Sequence, residues 1–67
     1  MKDYEILLKA GIDSMDAIHS VNGLIINAND RILIEKLKDD LLIENVSYFD
    51  RNKVSFDLTY RGLHYFD

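Results

Sequence analysis

The sequence predicts a small α+β domain, and three observations carry that prediction. Leu33, Ile34, Leu37 and Leu41 recur at helical spacing; Val54, Phe56 and Leu58 alternate with Ser55, Asp57 and Thr59; and the polar run Asp50 to Lys53 separates that strand from an earlier alternating stretch. A chain of 67 residues holds one domain. With 48% hydrophobic residues it can bury a small core, and without cysteine or proline it has no disulfide to reinforce that core.

Taken in order, Asp3 to Ala10 places Tyr4, Leu7 and Leu8 on one side of a short helix near 3–10, with Gly11 as its left-handed terminator. Asp13 or Ser14 caps a second expected helix, near 14–22, whose buried side is Met15, Ile18 and Val21 and whose stop is Asn22-Gly23. Leu24, Ile25 and Ile26 are too few for a helix and too apolar for a free loop, so they read as a short strand or buried connection.

The third helix, near 29–40, is capped by Asn27, Asn29 or Asp30 and buries the stripe Leu33, Ile34, Leu37 and Leu41. Past Asp40 the period changes. Leu41, Leu42 and Ile43 lead into Val46 and Tyr48, which alternate with Asn45, Ser47 and Phe49, so a hairpin is expected over 42–58 with Asn52 supplying a left-handed turn residue. Tyr48 and Phe49 fall on opposite faces, so one of them is partly exposed. Thr59 caps a short helix from residue 60, Leu63 and Phe66 face inward, and Gly62 leaves room for close approach. The architecture expected is three helices, a two- or three-stranded antiparallel sheet and a short C-terminal helix, with Leu37, Phe56 and Leu63 meeting in one interior.

The run LKDDLLIE, a hairpin and then FDLTYRGLHYF resembles the back half of a winged helix-turn-helix domain, as in MarR-like and PadR-like regulators and small phage and bacterial relatives. Leu37, Leu41, Leu42, Ile43, Leu58, Thr59, Gly62, Tyr65 and Phe66 match the leucine-rich helix, the strand, the closing Leu-Thr and the terminal helix of that pattern, within residues 29–66. Asp40-Leu41 stands where the family commonly has glycine. The segment from Gly23 to Asn29 is also longer than the three or four residues of a strict helix-turn-helix. The resemblance implies a small winged-helix-like regulator that binds double-stranded DNA, with a homodimer as the possible assembly.

In that reading the third helix is the recognition helix. Arg31 and Lys38 edge its outer face, Arg51 and Lys53 sit at the wing, and these four are the candidate DNA contacts. At 100° per residue the centre of the same face is Ile32, Glu35, Lys36 and Asp39. Two carboxylates and an isoleucine there suit a protein interface, and a net charge of −4 opposes general attraction to phosphate. The competing expectation is therefore an acidic winged-helix interaction module, of the phage inhibitor or adaptor kind, that does not bind DNA.

Other chemistry has little to stand on in the sequence. His19 and His64 have no ligand-spaced partner, Ser14, Ser20, Ser47 and Ser55 occupy no nucleophile motif, and three glycines form no phosphate-cradling loop. No catalytic residue, cofactor or metal is expected. No run approaches the ~18 apolar residues of a membrane span and the start lacks a signal-peptide layout, so a soluble cytoplasmic protein without membrane contact is the expectation.

Overall fold

Three antiparallel strands, with helices packed on one face, build this protein. The computed structural model describes residues 1–16 and 18–67. Along the chain these form α1 (Asp3–Asp13), β1 (Ser20–Ile25), α2 (Ala28–Asp39), β2 (Ile43–Phe49), β3 (Lys53–Leu58) and α3 (Tyr60–Leu63). The sheet order is β1-β3-β2, which puts the cleanest alternating strand in the middle. Val54, Phe56 and Leu58 of β3 are buried in one core with Val21, Ile43, Leu7, Leu8, Ile34, Leu37 and Leu42, and Leu63 packs against it.

The expected helix over 14–22 is replaced by a strand. Residues 20–25 pair with β3, Val21 opposite Phe56 and Leu24 opposite Val54, and Ile26 extends the pairing by donating to the Asn52 carbonyl at 2.8 Å. Residue 17 of that span lies outside the described residues. The helical spacing of Met15, Ile18 and Val21 misleads because Ile18 is 87% exposed and only Val21 is fully buried. What decides the outcome is β3, which has a free edge until β1 covers it. Asn22-Gly23 is no helix stop. It sits at a register shift of β1, with Gly23 at φ 73°. Nor does Gly11 end α1: it is buried within that helix, which runs on to Asp13.

α2 begins on a reciprocal cap, Asn27 Oδ1 accepting from Asp30 N–H at 2.9 Å and Asp30 Oδ2 accepting from Asn27 N–H at 3.0 Å. Its far end closes as a Schellman motif: Leu42 N–H donates to Leu37 O at 2.9 Å and Leu41 N–H to Lys38 O at 3.0 Å, while Leu37 and Leu42 are both buried. Glycine usually occupies the left-handed position of such a corner. Here Leu41 takes it, at φ 62°, and its side chain is 66% exposed rather than part of the core stripe. A left-handed leucine costs about 1–2 kcal/mol, and a glycine there gives back about 0.5–1 kcal/mol in chain entropy. Leu41→Gly is therefore expected to stabilise the fold by about 0.5–1 kcal/mol, read as a rise of roughly 2–8 °C in the thermal midpoint. A fall would show that Leu41 contributes contacts outweighing its strain.

The expected hairpin forms, with Tyr48 opposite Val54 and Phe49 opposite Lys53, but the left-handed tip residue is Asp50 at φ 58°, not Asn52. A second register shift lies between Glu44 and Ser47 on β2, with Asn45 at φ 54°. Both outer strands thus carry an irregularity, which discourages edge-to-edge pairing with other chains. Asp57, central on the uncovered sheet face, ties the two together by accepting from Ser20 Oγ and from Asn45 Nδ2, each at 2.8 Å. Those bonds, Asn45 first, hold its carboxyl below the usual range.

Thr59 caps α3, accepting from Gly62 N–H at 3.0 Å and donating to Leu41 O at 2.6 Å. Tyr65 then donates to Glu5 at 2.9 Å, binding the end of the chain to α1. Phe66 departs from the expected inward position: it is 38% exposed, edge-on to Tyr65, with the Lys9 ammonium 5.7 Å from its ring centre.

Candidate functional site

The outer side of α2 and its junction with β2 bring most of the candidate residues into one neighbourhood. The Arg31 guanidinium lies 4.5 Å from the ring centre of Tyr48. The Tyr48 hydroxyl donates to Glu35 Oε2 at 2.8 Å, and Lys38 Nζ pairs with Glu35 Oε1, also at 2.8 Å. A line of charge, Lys38–Glu35–Tyr48–Arg31, therefore follows the seam between helix and strand. Lys38 first and then Tyr48 pull the Glu35 carboxyl below its ordinary range, while partial burial followed by Glu35 pushes the Tyr48 hydroxyl up to about 12. Lys38 is raised in turn by Glu35.

Of the four candidate DNA contacts, two are thus already engaged within the chain. Arg51 is exposed at the hairpin tip, and Lys53 is half-buried in the last residue pair before it. Arg31, stacked one residue pair further in, belongs to the same end of the sheet. Lys38 stands away from it, toward the Schellman corner of α2.

The protein-interface set divides as helical geometry requires. Glu35 turns toward β2, whereas Lys36 turns toward α1, pairing with Asp40 at 3.3 Å and lying 4.8 Å from the Tyr4 ring centre. Ile32 and Asp39 remain between them, and Ile32 is 71% exposed. Its side chain gains almost nothing from the fold. Tyr48 is the organiser that residue types alone did not single out; its place on the inward face of β2, beside Val46, is the available signal, and it says nothing about which helix the ring will meet.

On the α1 side the two helices leave an open groove of about 390 Å³, lined by Asp3, Ile6, Leu7 and Ala10 of α1 and by Asn29, Asp30 and Leu33 of α2 with Asn27 before it. No polar side-chain atom is buried without a partner among the described residues, and none of them form a cluster of three or more potential metal ligands. No described helix is long and apolar enough to cross a membrane. Compared with protein-family models, with curated proteins and with solved structures, the chain matches none.

Proposed function

We propose that this chain is a winged-helix-like protein-binding module that engages its partner through the outer face of α2, with Ile32 as the anchor. The observation that carries the proposal is the contrast along that face. Arg31, Lys36 and Lys38 are held by Tyr48, Asp40 and Glu35, while Ile32 stands 71% exposed among them. Phosphate recognition needs cations that can exchange their counterions for phosphate, and a net charge of −4 adds long-range repulsion. An exposed apolar side chain bordered by cations already paired within the chain has the composition of an interface anchor and its polar rim.

The element order supports a winged-helix-like arrangement, since β1 pairs with the wing hairpin β2–β3 and a terminal helix closes the sheet. Only α2 lies between β1 and β2 among the described residues, so it has no turn-linked partner helix, the feature on which a helix-turn-helix rests. The second reading, duplex DNA binding by the wing, has its own support in the gathering of Arg31, Arg51 and Lys53 at one end of the sheet.

The test is a pair of measurements. Ile32→Asp is expected to leave the circular dichroism and, within about 0.5 kcal/mol, the stability unchanged. Capture of the partner from the native host's lysate is expected to weaken roughly 30-fold or more. Gel shifts at low salt with genomic fragments are expected to be blank. Capture that survives Ile32→Asp, or a salt-dependent shift whose slope falls by about one on Arg51→Ala, would overturn the proposal in favour of the wing.

A further inference from the structure

Resting on the protein-binding reading, we infer that the groove between α1 and α2 receives an amphipathic helix with an apolar stripe flanked by lysine or arginine. Asp3, Ile6, Leu7 and Ala10 recur at i, i+3, i+4 and i+7, so one stripe of α1 forms one wall. Leu33 with Asn29 and Asp30 forms the other. Leu7 is almost wholly covered from below, whereas Ile6 is 54% exposed at the lip. A hydrophobic side chain entering here covers Ile6, Ala10 and Leu33 together, the geometry by which helical ligands seat their anchors between two helices.

Charge selects the occupant. The charged residues lining the groove are Asp3 and Asp30, and the rest of its polar rim is Asn27 and Asn29. The cations of α1 and α2 are engaged elsewhere, Lys9 with Phe66, Lys36 with Tyr4 and Asp40, Arg31 with Tyr48, and the charges of Lys2 and the N-terminal ammonium, just before Asp3, act on Glu5. The start of α2 offers little to an anion, because the Asp30 carboxylate already stands there in the capping box. An acidic helix would meet like charge on both sides of the groove, and a basic one would meet complementary charge at both. A second copy of this chain is a poor occupant, since its α1 carries Asp3, Glu5 and Asp13 against the single Lys9, and its α2 sets Asp30, Glu35 and Asp39 against Arg31, Lys36 and Lys38, so neither helix offers a basic flank.

The experiment uses two synthetic helical peptides with the same leucine stripe, one with lysine and one with glutamate at all other positions. Amide shifts in the full chain are followed by NMR. The lysine peptide is expected to bind at least roughly tenfold more tightly than the glutamate peptide, with shifts centred on Ile6, Ala10 and Leu33. Ile6→Ser is expected to weaken it by roughly tenfold, and Asp3→Lys to erase much of the preference for lysine. Either variant is checked by circular dichroism. Equal affinity for the two peptides, absence of binding, or shifts spread over the acidic surface and indifferent to Ile6→Ser would each overturn the inference. Partner capture by the Ile32→Asp variant reads a different face, so failure of the groove leaves the α2 result standing, and failure at Ile32 is visible whatever the peptides do.

Discussion

Gly62→Ala is expected to lower the thermal midpoint by roughly 10–25 °C, an effect out of proportion to one methyl group. An added Cβ would overlap the Leu42 carbonyl oxygen outright and lie 2.8 Å from its carbonyl carbon. The obstacle is backbone, which no rotamer change removes. That carbonyl also accepts from Thr59 N–H at 3.2 Å, and Leu42 closes the Schellman corner through Leu37 O, so displacing it disturbs two elements at once. Either the corner shifts, opening contacts around buried Leu42, or α3 lifts away and takes Leu63 and the Tyr65–Glu5 bond with it. Overpacking of this kind costs about 1–3 kcal/mol and more where backbone must move, and a chain of this length has roughly 3–10 kcal/mol in total. Urea and thermal denaturation followed by circular dichroism give the magnitude. Hydrogen exchange distinguishes the two routes: loss of protection confined to residues 60–65 means that α3 undocks. A midpoint within a few degrees of the parent would show that the approach of α3 to Leu42 is dispensable.

The close approach at Gly62 was legible in the sequence, as were the helix near 29–40, found one residue earlier at Ala28–Asp39, the hairpin and the cap at Thr59. Each rests on local chemistry: an Asn-to-Asp capping box, an alternating strand, a hydroxyl three residues before the amide it caps. What failed depended on distant partners. Leu24 and Ile25 do lie in a strand, one of the two readings open for Leu24 to Ile26, but Ser20 to Gly23 ends a helical apolar spacing with an Asn-Gly pair, and the open edge of β3, more than 30 residues later, makes it strand as well. Leu41 broke the stripe because the corner needs a left-handed residue, and the sequence supplies a leucine where the turn geometry asks for glycine. The candidate contacts followed the same division. The outward position of Ile32 follows from helical geometry alone, but the capture of Arg31 and Glu35 by Tyr48 needs the tertiary fold.

Gly11 and Phe56 provide the second large effect, and here the sign of a substitution is expected to depend on its neighbour. Phe56 is 2% exposed at the centre of the sheet's inner face, and Phe56→Ala is expected to cost about 3–5 kcal/mol, enough to leave a substantial fraction of the chain unfolded. Gly11 exists for that ring. A Cβ on it would lie 2.9 Å from Phe56 Cζ and 3.3 Å from Cε1, with Val21 Cγ2 at 3.9 Å behind. Mid-helix glycine gives up about 1 kcal/mol relative to alanine, so its presence inside α1 has to be offset by packing. In the parent chain Gly11→Ala gains that helical preference but pushes the ring against a closed core, for a net loss of about 0–2 kcal/mol. In a Phe56→Leu background the crowding atoms are gone, and the same change is expected to stabilise by about 1 kcal/mol. The cycle of two single variants and the double variant, measured by urea denaturation, should therefore return a coupling of about 1–3 kcal/mol. Phe56→Leu keeps the cycle measurable where the partly unfolded alanine variant leaves no native baseline. Additive effects within about 0.5 kcal/mol would mean that ring and helix do not press on each other, and that the helix-on-sheet contact through which α1 also shapes the groove is looser than the fold requires.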